Sequence, residues 1–177
     1  MTVLLTHARQ YAGPGVVPVL LRDRCEPYCH DASFVDPEAA RTFEAQHPGA
    51  IALRAQTPAA IADELSARGV SPDAVVHNDV HPNTPRPIGE IPTEELQAAF
   101  DALLRFPFEL TQRLLPAMKA RRSGRFVFVT SARSRQPEPG FAVATSIRSA
   151  TTAFALALAR EAAPHAIQVN VVAPNYL

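Results

Sequence analysis

Ser131, Ala144 and Arg148 are spaced so that their side chains can converge on one point. Phe126–Thr130 is a short, unbroken apolar run rich in Val and Phe, as expected of a strand buried on both faces. Ser131 stands where that strand would end. In an open parallel sheet, ligands bind just beyond the carboxyl ends of the strands, so a hydroxyl there is well placed for chemistry. Ala144 follows thirteen residues later, and Arg148 four residues after that. Residues four apart share one face of a helix. Arg148 is therefore expected to point, with Ala144, back toward the strand end that carries Ser131. The plainer roles stay open: a helix-capping or loop hydroxyl for Ser131, and a salt bridge to Glu138 or Glu161 for Arg148.

The elements that must position these residues alternate along the chain. Strands are expected at Thr2–Thr6, Cys25–Cys29, Ala50–Leu53, Asp73–His77, Phe126–Thr130 and Ile167–Val172. Helical segments are expected at Val16–Leu21, Asp36–His47, Thr57–Arg68, Glu94–Arg121 and Ala144–Ala163. Asp36 and Thr57 read as N-caps, each with a proline at the next position, and Gly69 ends the third helix. Pro107 and Pro116 should kink or divide the long Glu94–Arg121 stretch. Such alternation predicts a single α/β domain over residues 1–177. Its architecture is Rossmann-like, three layers α/β/α around a parallel sheet of about six strands.

The chain has 177 residues, of which 47% are apolar, enough for one core. Seventeen basic residues balance seventeen acidic ones, which gives no overall attraction to nucleic acid or an anionic membrane. The basic cluster Lys119–Arg125 reads as a solvated helix end. No unbroken run approaches 18 apolar residues, so neither a membrane span nor a signal peptide is expected. Cys25 and Cys29 lack a metal-site spacing and read as reduced thiols of a cytoplasmic protein. His7, His30, His77 and His81 are scattered, and no metal site is expected.

The turn after the first strand departs from a nucleotide site. A dinucleotide turn reads T-G-x-x-x-G-x-G, with small glycines that let backbone approach a pyrophosphate at a helix N-terminus. Here the same frame gives Thr6, His7, three residues, Tyr11, Ala12 and Gly13. Side chains stand where two of the glycines belong. Asp31, which could bind a ribose, reads instead as a strand-end cap. Asn78 is expected to bridge the fourth and fifth strands.

Taken together, these residues resemble the short-chain dehydrogenase/reductase superfamily, with Ser131 at the end of strand five and a basic residue on the next helix. Arg148 in place of Lys, the T-x4-Y-x-G turn, Cys29–Phe34, Asn78-Asp79 and the final P-N-Y-L resemble its halohydrin dehalogenase branch. The resemblance implies an intramolecular displacement that needs no cofactor. A vicinal haloalcohol loses its hydroxyl proton, and the alkoxide closes an epoxide as halide leaves. In reverse, small anions open epoxides. It also implies a Ser–Tyr–Arg triad, in which Ser131 orients the substrate oxygen and Arg148 favours a tyrosinate. Tyr11, Pro174, Asn175, Tyr176 and Leu177 are implied as the halide and substrate contacts.

The triad's tyrosine position holds Ala144, whose methyl group accepts no proton. An impaired enzyme is the leading expectation, with another base (Tyr11, Tyr176 or a histidine) or a base entering the vacated space as alternatives. Two other functions remain open: an NAD(P)-dependent oxidoreductase, and a non-catalytic scaffold or subunit. Family members usually continue beyond this length, so a C-terminally incomplete sheet with an exposed Ile167–Val172 edge is also expected. The two long helices are implied to build a homodimer or tetramer.

Overall fold

The computed structural model describes residues 1–82 and 84–175. Six parallel strands form one sheet in the order β3-β2-β1-β4-β5-β6. They are β1 (Thr2–Leu5), β2 (Glu26–His30), β3 (Ile51–Leu53), β4 (Ala74–His77), β5 (Gly124–Val129) and β6 (Ile167–Val172). The order reverses between β1 and β4, which pair directly in parallel, Leu4 opposite Val75. A crevice therefore opens beyond the carboxyl ends of these two strands, the usual ligand position in such sheets.

Alternating side chains supply the sheet with two apolar faces. Leu4, Val75, Phe126 and Phe128 pack on one side against Ile61 and Leu65 of α3 (Pro58–Ala67), Leu110 and Leu114 of α5 (Phe106–Arg121), and Ala155 and Leu158 of α6 (Ala142–Ala162). On the other side, Leu5 and Cys29 meet Val17 of α1 (Gly13–Arg22) and Ala40 and Phe43 of α2 (Pro37–Gln46). Phe126 and Phe128 are fully buried; truncating a core phenylalanine to alanine typically costs about 3–5 kcal/mol. This is the expected three-layer α/β/α arrangement.

Most boundaries follow from local chemistry. Asp36 accepts from the Glu38 amide at 2.9 Å, and Thr57 from the Ala60 amide at 3.2 Å, so both expected caps form. Gly69 follows α3 at a φ of +70°, a left-handed position. Helix α1 begins at Gly13, three residues before the apolar periodicity starts. The long helical stretch divides into α4 (Thr93–Phe100), one π turn (Asp101–Arg105) and α5. Pro107 has no N–H and crowds the carbonyl four residues back, and widening the preceding turn relieves that clash. Pro116, also expected to kink the stretch, stays within α5 on its exposed side.

Among the described residues, Ala142–His165 is one helix long and apolar enough to cross a membrane by length and composition. Its buried stripe packs within the domain: Val143 and Ile147 against Ala99 and Leu103, and Ala155, Leu158 and Ala162 onto the sheet. The basic cluster is tied down as well. Lys119 pairs with Glu161 at 2.8 Å, and Arg121 bonds Ser71 and the Pro72 carbonyl.

Candidate active site

Strand β5 ends at Val129, and Ser131 caps the short 3₁₀ turn that follows, its Oγ accepting from the Arg133 amide at 3.3 Å. The capping role and the strand-end position thus coexist in one residue. Ala144 and Arg148 lie on α6, one turn apart. Arg148 Nη1 donates to the Val129 carbonyl at 2.8 Å, and Nη2 to the Asp79 carbonyl at 2.9 Å. The guanidinium fork therefore fixes α6 against the chain ends beyond β4 and β5. It makes neither of the salt bridges left open as its plainer role, since Glu138 pairs with Arg133 at 3.0 Å and Glu161 with Lys119.

Tyr11 reaches across from the β1–α1 turn. Its hydroxyl donates to the Thr130 carbonyl at 2.9 Å, and the Arg148 guanidinium lies 5.3 Å from its ring centre, within cation–π range. Tyr11, Ser131, Ala144 and Arg148 line one cavity of about 200 Å³, together with Val80, His81 and Arg133. Burial raises the Tyr11 phenol above its ordinary value, against the opposing charges of Arg148 and Arg133. Burial also lowers the Arg148 guanidinium, opposed by Tyr11 and Asp79. Tyr11 is therefore a protonated hydrogen-bond donor at neutral pH, with a cation over its face.

Behind the cavity, Asp79 is buried with its carboxylate among donors. Thr6 Oγ1 donates to it at 2.8 Å, and the Nδ1 atoms of His7 and His77 lie 3.3 and 3.6 Å away. Burial pushes the Asp79 carboxyl up, but the two histidines outweigh it and hold the group well below the ordinary carboxylate range. Asn78 does not bridge β4 to β5 as expected. Its Nδ2 donates to the His7 and Gln10 carbonyls at 3.0 and 2.9 Å, and its Oδ1 accepts from the Ala12 amide at 3.2 Å. It fastens the β1–α1 turn instead, because parallel β1 and β4 bring that turn beside the end of β4.

That turn keeps a glycine-type backbone without the glycines. His7 and Tyr11 hold left-handed φ angles of +48° and +53°, a conformation that costs an L-residue roughly 1–2 kcal/mol. Gly13 remains because a Cβ there would meet the Ala8 carbonyl oxygen at 2.4 Å. The His7 ring turns toward His30 and Phe106, at 5.0 and 5.8 Å between centroids. Tyr11 is tied to Thr130. Two side chains thus stand in the turn where a dinucleotide-binding turn carries glycines. Asp31 caps, as expected: Oδ1 accepts from the Ser33 amide at 3.0 Å and Oδ2 from the Arg9 amide at 3.1 Å. Among the described residues, no three His, Cys, Asp or Glu side chains group to hold a metal ion.

The expected halide contacts divide. Tyr11 lines the cavity. Pro174 does not: its carbonyl accepts from the Ala132 amide at 2.9 Å, beside the Ser131 turn, and Asn175 is exposed. Tyr176 and Leu177 lie outside the described residues. Val80 and Arg133 join the lining without having been singled out from the sequence, and so does His81, named there only as one of the scattered histidines. Val80 and His81 directly follow Asn78-Asp79, and that adjacency is the signal that could have found them.

A family model described as short chain dehydrogenase matches residues 50–177. A solved structure titled as a dehalogenation enzyme is 37% identical and superposes with a TM-score of 0.94, covering 99% of this chain and 72% of that one. A halohydrin dehalogenase solved with ethyl (2S)-oxiran-2-ylacetate is 30% identical with a TM-score of 0.95, over 99% of this chain and 70% of that one. An uncharacterized oxidoreductase of Bacillus subtilis (strain 168) is 29% identical over 91 residues, 51% of this chain but only 35% of that protein. The chain thus aligns with about a third of that curated relative's length. From the fold, the Ser131–Arg148 geometry and these likenesses together, the chain belongs to the halohydrin dehalogenases, within the short-chain dehydrogenase/reductase superfamily.

Proposed function

We propose that this site carries out, at reduced rate, the cofactor-independent conversion of a small vicinal haloalcohol to an epoxide and halide, in the cytoplasm. One observation carries the reading: Tyr11, Ser131, Ala144 and Arg148 line a single small cavity at the sheet's switch point. Ser131 Oγ orients the substrate oxygen. As the hydroxyl proton departs, the oxygen's electron pair forms the new C–O bond, the C–halogen bond breaks, and halide leaves with its pair. The Arg148 cation, held by two carbonyls, stabilises the developing alkoxide without reorganising. The Tyr11 ring edge, which lines the cavity, receives the halide. The reverse reaction, epoxide opening by small anions, uses the same contacts, and the epoxide bound by one relative supports that ligand class.

Ala144 removes the phenol that would accept the proton. A positioned general base contributes about 10²–10⁴-fold, so the Ala144→Tyr variant is expected to release halide faster by that factor. Chloride release from 1-chloro-2-propanol, followed for both chains side by side, tests this. Equal rates in two folded proteins would remove Ala144 from the account, and silence in both would remove the reaction.

An oxidoreductase reading draws on the curated relative's name and on the glycine-type backbone of the β1–α1 turn. It predicts calorimetric binding of NADH or NADPH, which the His7 and Tyr11 side chains oppose. Association through the long helices is a further part of the proposal. An apolar groove of Phe100, Leu104, Phe108 and Phe154 runs between α4–α5 and α6, and sedimentation of the chain tests for the dimer or tetramer.

A further inference from the structure

The cavity at Ala144 has lost one proton acceptor, yet its walls still hold four ionisable side chains: Tyr11, His81, Arg133 and Arg148. Three of them are poor bases. A guanidinium has no acceptor site and does not deprotonate in proteins, which excludes Arg148 and Arg133. Arg148 is held by the Val129 and Asp79 carbonyls, and Arg133 by Glu138. The Tyr11 hydroxyl donates to the Thr130 carbonyl, and its burial keeps the proton on. Ser131 Oγ accepts from the Arg133 amide, and His81 shares the lining with it. A neutral imidazole, by contrast, carries one acceptor nitrogen.

Building on the reaction proposed above, we propose that His81 is the catalytic proton acceptor of this cavity. Position supports the role. His81 stands two residues after Asp79, whose carbonyl is held by Arg148 Nη2 at 2.9 Å, so its backbone is anchored to the helix that carries Ala144. The Asp79 carboxylate is committed to Thr6, His7 and His77, and His81 is the imidazole in the cavity lining. A methyl group at position 144 leaves a cavity of about 200 Å³, roughly the volume of six or seven waters. That space admits a small haloalcohol beside the imidazole. His81 is half-buried, so a proton taken from the substrate hydroxyl can leave the imidazolium to solvent. The step balances: O–H to N–H⁺, alkoxide to C–O bond, C–halogen bond to halide.

The test measures chloride release from 1-chloro-2-propanol by the native chain, His81→Gln, His81→Ala and, as the control for the reaction itself, Ala144→Tyr. Thermal melts confirm that each protein is folded. Expected are slow turnover by the native chain, a fall of about 10²–10⁴-fold in His81→Gln, and partial recovery of His81→Ala by imidazole added to the buffer. Recovery by imidazole separates a base from a residue that merely shapes the wall. A silent native chain beside an active Ala144→Tyr overturns His81 while leaving the family reaction standing. Equal rates for the native chain and His81→Gln overturn it as well. Silence in every variant, Ala144→Tyr included, overturns the reaction and His81 with it.

Discussion

Acid should find a weak point in this fold at His30, and the size of the effect follows from its surroundings. The ring is 2% exposed, stacked on Phe106 with centroids 5.5 Å apart and met edge-on by His7 at 5.0 Å. Burial, then the neighbouring His7, lowers its pKa from 6.5 to about 4, against the charges of Asp79 and Asp31. A histidine held neutral in the fold takes up its proton more readily when the chain unfolds. Below pH 6.5 the unfolded state therefore binds more protons, and stability falls with pH until the folded ring also titrates near 4. The difference corresponds to about 3 kcal/mol lost between pH 7 and pH 4. His30→Leu removes that loss, although it also removes the stacking and lowers stability at pH 7. Urea denaturation of both proteins at pH 7 and pH 4, followed by circular dichroism, isolates the term, because other titrations are common to the pair. The stability gap should move by about 3 kcal/mol in favour of the variant on acidification. A gap that stays constant would mean that His30 is protonated in the folded state, and the reasoning from burial would fail.

Two further predictions concern the groups that hold the site. Arg148→Lys puts a point charge where a fork meets two carbonyls. One carbonyl is left without a donor, at about 1–3 kcal/mol, read by denaturation. In an Ala144→Tyr background the same change should lower halide release, and undiminished release would sink the role given to the guanidinium. Asn78→Ala breaks the bonds to His7, Gln10 and Ala12, for a loss of roughly 2–4 kcal/mol. Hydrogen exchange at the Ala12 amide should quicken. An unchanged melt and unchanged exchange would show that the β1–α1 turn stands without it.

Strands and caps were legible in the sequence because their causes are local. Phe126–Val129 is apolar wherever it packs, Asp36 and Thr57 cap through their own next turn, and Pro107 disturbs the helix it sits in. The union of Ser131 with Arg148 was legible too, since a strand end and an i, i+4 pair fix directions over short distances. The loss of the phosphate turn could be read from His7 and Tyr11 by residue type alone. Contacts between segments distant in sequence could not. The parallel pairing of β1 with β4 brings Tyr11, Asn78 and His81 to one crevice from loops about seventy residues apart, and no local pattern records that register. The same pairing sends Asn78 to the β1–α1 turn instead of β5, and the pairing of β4 with β5 brings together the Asp79 and Val129 carbonyls that Arg148 meets. The sequence determined which residue types this protein has for chemistry and which one it lacks at position 144. Tertiary packing alone decided which of the remaining groups face the gap.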